Sequence, residues 1–142
     1  MTDEADRPLP KGELTVRIVA MPSDTNPSGD IFGGWIMGLM DLSAGVAAKD
    51  RAGGRVVTAS VSSLSFLHPV KVGDVVCCYT RVDGTGRTSM VLDVEAWVVR
   101  GDRADRFKVT EAKFVMVAVD AAGRPRPVDG PGGGPGGGPG GG

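Results

Sequence analysis

The sequence predicts an α+β domain in which an antiparallel sheet curls around one long helix. Three observations predict it. A single segment, about Gly33 to Arg51, is apolar around nearly its whole circumference; five other segments alternate apolar and polar residues or are rich in Val and Thr; and turn residues separate them in the order β-α-β-β-β-β. No internal repeat appears outside the C-terminal tail.

The first strand is Leu14 to Ala20, with Lys-Gly-Glu before it and Met-Pro-Ser-Asp after it. Pro22, Ser23, Asp24, Asn26, Pro27, Ser28, Gly29 and Asp30 then form a loop, and Ser28 or Asp30 is placed to cap the helix that follows. In that helix Trp35, Ile36, Met37, Leu39, Met40, Leu42, Val46, Ala47 and Ala48 leave little polar surface, and Gly53-Gly54 stops it. Such a helix is expected to be covered on most sides. Four strands follow: Arg55 to Leu67, Asp74 to Asp83, Thr88 to Arg100 and Phe107 to Asp120. His68-Pro69, Asp83-Gly84-Thr85-Gly86 and Gly101-Asp102 mark the turns between them.

Of the 23 glycines in 142 residues, ten fall in the Gly/Pro run 130–142, which has no side chain to bury against the entropy of ordering its backbone. Residues 129–142 therefore read as a disordered tail, residues 1–12 as a flexible polar segment, and residues 13–128 as one domain with one core. Sixteen Lys and Arg against 17 Asp and Glu give a formal charge of −1, so no basic field favours nucleic acid. The first residues are acidic where a signal peptide would be basic and then apolar, and no apolar run is long enough to span a membrane. The expectation is a cytoplasmic protein without membrane or nucleic-acid partners. Cys77 and Cys78 are adjacent, so in a strand they point to opposite faces and are expected to stay reduced. With them and a single histidine, His68, no metal site is expected.

Asp41 is the one ionisable side chain between Ile31 and Ala48. Its helical neighbours at three, four and seven positions are Gly34, Met37, Gly38, Ala44, Gly45 and Ala48, small or apolar residues where a solvated stripe would carry Lys, Glu or Gln. Such a face lets a second chain or a ligand approach closely. A carboxylate enclosed by apolar groups becomes a better base near neutral pH. At the helix start, Gly33 and Gly34 expose backbone N–H groups that lack helical partners and lie at the positive end of the dipole, a candidate oxyanion hole; the same glycines also suit a tight turn. Asn26 in the preceding loop has an amide able to orient water or a carbonyl, and by itself it reads equally as a turn residue.

The stretch from Met21 through Asn26, Phe32-Gly33-Gly34-Trp35 and Asp41 resembles the acyl-CoA thioesterases of the hot-dog fold, in their YciA-like branch. The likeness continues through Gly54 to Thr58, Phe66 to Tyr79, and Gly86-Arg87-Thr88-Ser89 to Trp97. The resemblance implies a hot-dog domain that forms dimers, often trimers of dimers, with active sites at the dimer interface. It implies that Asp41 is the catalytic base or nucleophile, that the N–H groups at Gly33 and Gly34 polarise the thioester carbonyl, and that Asn26 helps place the carbonyl or water. It implies that Gly86, Arg87, Thr88 and Ser89, with Arg55 as a further candidate, approach the pantetheine and nucleotide parts of CoA, and that no cofactor is needed, since CoA is part of the substrate. Two other readings stay open: a non-catalytic acyl-CoA-binding module of the same fold, and a hot-dog hydratase or dehydratase. The second usually needs a histidine beside an acid, and His68 lies outside the helix.

Overall fold

The computed structural model describes residues 9–101 and 105–129; the tail 130–142 and residues 1–8, for which the sequence predicts flexibility, lie outside the described residues. The elements are β1 (Glu13–Val19), α1 (Gly33–Ala52), β2 (Val56–Phe66), β3 (Val75–Thr85), β4 (Ser89–Arg100) and β5 (Asp105–Ala118), the order expected from the sequence. The strands form a five-stranded sheet in the order β1-β3-β4-β5-β2, with every neighbouring pair antiparallel.

Periodicity decides which strand residues face the helix. Val76 and Cys78 of β3, Leu92, Val94 and Ala96 of β4, and Ala112, Phe114 and Met116 of β5 are buried in one cluster with Ile36, Met40, Ala44, Ala48 and Ala52 of α1. Fully burying side chains such as Ile36, Met40 and Phe114 stabilises by about 1.5–3 kcal/mol each. The sequence reading ended β3 at Asp83. The strand instead bulges between Val82 and Gly84 and pairs onward to Thr85, because Gly84 and Thr85 still find partners in Val91 and Met90. The turn to β4 shrinks to Gly86–Thr88.

Two features of α1 differ from expectation. Neither Ser28 nor Asp30 caps it: the N-cap position is Phe32, with no side-chain hydrogen bond, and the Asp30 carboxylate instead pairs with Lys71. The sheet also covers the helix on one side only. Met37, Leu42 and Val46 are exposed, Leu42 to 55%. A single sheet reaches one stripe of a cylinder, so the rest of an all-round apolar helix stays open. At the other end Gly53 takes a left-handed conformation (φ 70°) and its N–H donates to the Lys49 carbonyl, which closes the helix.

The loop before β3 is pinned by a buried acid. Asp74 accepts two hydrogen bonds from Arg100 (2.9 and 2.8 Å) and one from the Lys71 N–H (2.8 Å), and Arg100 stacks over Phe107 at 5.0 Å. Burial by itself raises the Asp74 carboxyl, but the hydrogen bonds from Arg100 and Lys71 and their charges outweigh it and hold the group below its ordinary value. This stabilisation is complete above the unfolded carboxylate range, near about pH 3.9, and is lost as pH falls through the lower folded value. Asp74→Asn is expected to cost about 1–3 kcal/mol at neutral pH. Denaturant unfolding should show the gap between variant and wild type closing below about pH 4.

Candidate active site

Asp41 sits at the margin of the covered stripe of α1, over the edge strand β2. Its Oδ1 accepts a hydrogen bond from Thr58 Oγ1 at 2.5 Å. The apolar enclosure expected for the acid is absent within the chain: Asp41 and Thr58 are both exposed, because they meet where α1 crosses the open edge of the sheet. The sequence alone assigns Thr58 no role. A threonine in a Val/Thr-rich strand reads as β-propensity, and only the packing of α1 across β2 turns its hydroxyl onto the acid.

The helix start supplies unpaired donors. Trp35 and Ile36 donate to the Phe32 carbonyl, while the N–H groups of Gly33 and Gly34 bond to none of the described residues. A Cβ on Gly33 would stand 3.3 Å from the Phe66 ring, so this glycine lets the end of β2 pack against the helix start. Around Gly34 a Cβ would meet nothing within 4 Å, and its surroundings are open to a ligand.

Asn26 is held in the loop that closes onto this helix start. Its Oδ1 accepts from Ser28 N–H (2.9 Å) and Asp30 N–H (3.0 Å), its own N–H donates to the Asp30 carbonyl, and Phe32 N–H donates to the Asp24 carbonyl. Both readings of Asn26 are thus compatible: the oxygen builds a turn, while none of the described residues accepts from Nδ2.

The candidate CoA-binding residues gather where β5 ends. Ala118 N–H donates to the Thr88 carbonyl and Val119 N–H to the Arg55 carbonyl, which places the Gly86–Ser89 turn and Arg55 on either side of one strand. Two strand spacings put them about 10 Å apart. In the turn, Gly86 N–H donates to the Ser89 carbonyl at 2.8 Å, and a Cβ on Gly86 would stand 2.9 Å from Ser89 Oγ. The side chains of Arg55 and Arg87 are exposed. Thr58 lies three residues along β2 from Arg55, about 10 Å, so acid and basic patch lie on one route along the sheet edge.

The donors do not join them. Gly34 and Asp41 differ by seven positions, which puts them on one face of α1 but about 10 Å apart along its axis. One carbonyl cannot touch both within a single chain. Within the chain the candidate residues thus fall into two groups: Asn26, Gly33 and Gly34 at the helix start, and Asp41, Thr58, Arg55 and the 86–89 turn farther along.

The remaining nucleophile candidates lie elsewhere. His68 is beyond the far end of β2, edge-on to Phe107 at 5.1 Å. Cys77 and Cys78 are buried without a disulfide, and burial pushes the Cys78 thiol up to about 11. No helix among the described residues is long and apolar enough to cross a membrane.

The Thioesterase superfamily profile matches residues 28–104. The acyl-CoA thioester hydrolase YciA of Salmonella typhimurium is 52% identical over 122 residues, covering 84% of this chain and 92% of that protein. A hexameric thioesterase from Yersinia pestis superposes with a TM-score of 0.82 at 52% identity, over 86% of this chain and 99% of that one. A hexameric broad-specificity acyl-coenzyme A thioesterase, solved as a mutant with an aspartate replaced by alanine, superposes at 0.81 with 49% identity, over 84% and 88% of the two chains.

Proposed function

The chain belongs to the thioesterase superfamily, and from that premise we infer that it is an acyl-CoA thioester hydrolase, cleaving acyl-CoA to the carboxylic acid and CoA at a site assembled from two protomers. The observation that carries the two-protomer reading is the separation of Asp41 from the helix-start donors within one chain. The exposed Met37 and Leu42 of α1 and the exposed Val61 and Phe66 of β2 are the apolar surface near Asp41 that a second copy would bury. Across such an interface the helix start of one protomer faces the acid of the other. Dimers of this kind assemble into trimers of dimers, in keeping with the hexamers among the similar structures.

In this site the thioester carbonyl oxygen accepts from the Gly33 and Gly34 N–H groups, which point at the oxyanion as charge develops. Asn26 Nδ2 places the carbonyl or the attacking water. Arg55, Arg87, Thr88 and Ser89 take the phosphates and upper pantetheine, with guanidinium groups suited to phosphate oxygens. Asp41, steered by Thr58, follows one of two routes. As a general base it takes a proton from water while the water oxygen attacks the carbonyl carbon and the thiolate leaves. As a nucleophile it forms a mixed anhydride, expelling the CoA thiolate, and water then cleaves the anhydride. CoA enters as part of the substrate and no further cofactor is required. The two reduced cysteines suit a cytoplasmic setting.

Thiol release from a panel of acyl-CoAs, set beside calorimetric binding of CoA, tests the reading: binding without release would make the protein a non-catalytic module. Asp41→Asn is expected to lower kcat by about 10²–10⁴, the range for a positioned acid–base group, and near-normal turnover would overturn the assignment. Thr58→Val removes one hydrogen bond to a charged group and should lower kcat by about tenfold or more. In a single turnover in heavy-oxygen water, label in the Asp41 carboxylate identifies the anhydride route, with water attacking the Asp41 carbonyl carbon, and excludes simple general base action. Leu42→Glu should dissociate the assembly, seen by analytical ultracentrifugation, and remove activity with it. A monomeric variant with full activity would sink the two-protomer site.

A further inference from the structure

The segment after β5 contributes nothing to the chemistry above, yet it is fastened at several points. The chain reverses through Asp120–Gly123, where Gly123 is left-handed (φ 81°), and returns beside β5 with Arg126 N–H on the Ala118 carbonyl. Val128 is fully buried, and its N–H donates to the Arg87 carbonyl at 2.8 Å. Asp129 receives both terminal nitrogens of Arg51, at 2.9 and 3.2 Å.

Between these anchors lies Arg126, only 8% exposed and with no described carboxylate in ion-pair range. Its donors go to three main-chain carbonyls: Nη2 to Ala52 (3.1 Å), the last residue of α1, Nε to Val119 (3.3 Å) and Nη1 to Pro127 (3.0 Å). The cation thus closes the negative end of α1 and ties the returning segment to it. A Cβ on Gly54 would stand 2.7 Å from Nη2, so Gly54 makes room for the guanidinium. Burying a charged group is costly unless every donor is used, and here the gain is the fixed position of the segment it holds.

We propose that residues 120–129 form a strap that sets the Gly86–Ser89 turn for CoA, and that Arg126 is its positioning residue. Two successive carbonyls of the turn are held, Thr88 by Ala118 at the end of β5 and Arg87 by the strap, while the Arg87 side chain stays exposed. Asp41 lies eleven residues from Ala52, about 16 Å up the helix from the end that the strap holds. Loosening Arg126 therefore weakens capture of the phosphate-bearing part of the substrate and spares the chemical step. This inference rests on the reading of the 86–89 turn as a CoA site.

The test compares one acyl group carried on CoA and on pantetheine, which lacks the nucleotide. Arg126→Met keeps the aliphatic stem and removes all three hydrogen bonds. KM for the acyl-CoA should rise about tenfold or more while KM for the acyl-pantetheine changes less than about twofold, as expected for loss of uniform binding to one part of the substrate. Arg126→Lys, with one donor able to reach the Ala52 carbonyl, should recover part of the difference. Equal changes on both substrates, or none on either, overturn the proposal. If Arg126→Met does not fold, Asp129→Asn, which opens the exposed outer clasp, is read by the same ratio with a smaller rise on acyl-CoA alone expected. Arg87→Met separates the two layers: selectivity in Arg87→Met without selectivity in the strap variants defeats the strap alone, and no selectivity in Arg87→Met defeats the CoA reading and the strap with it.

Discussion

A twenty-residue helix that is apolar on nearly all sides has only one sheet to bury it against. That mismatch governs the molecule. The sheet takes Ile36, Met40, Ala44, Ala48 and Ala52, and leaves Met37, Leu42 and Val46 exposed. Surface of this kind has a favourable outcome in the second copy of the chain. Asp41 lies at the margin of the covered stripe, itself exposed. The apolar surroundings expected for Asp41 from its sequence neighbours are not supplied within one chain.

The helix also acts as a ruler. Gly34 and Asp41 share a face because seven residues are nearly two turns, and they stand about 10 Å apart because each residue rises about 1.5 Å. No rearrangement of side chains in one protomer removes that distance. Antiparallel apposition of two helices does, since it brings the start of one beside the middle of the other.

The two ends of α1 are treated in opposite ways. At the start no side chain caps the helix, and the Gly33 and Gly34 N–H groups keep their capacity for a ligand oxygen. At the end Gly53 N–H, Arg126 and the basic residues Lys49 and Arg51 answer the carbonyls and the dipole. An unsatisfied helix end is tolerable where a substrate will meet it. The opposite end serves as an anchor for the strap and for the turn beyond it, and there satisfaction brings rigidity.

Local pattern carried much of this protein. Alternation and turn residues predicted all five strands and the helix to within a few residues, and Asp41 stood out as a charge among small neighbours. Asn26, Gly33 and Gly34 were legible because they lie within one continuous stretch that leads into the helix. Thr58 and Arg126 were not legible. Each acts on a residue far along the chain, and nothing near it in the sequence records the partner. Their meaning comes from the sheet order β1-β3-β4-β5-β2, which sets β5 between β4 and β2 and so brings Arg55, the 86–89 turn and residues 119–128 to one place. Which face of α1 would stay uncovered was likewise decided only in three dimensions. An all-round apolar helix has no preferred side in its sequence, and the choice falls to the surface that a single curved sheet can reach.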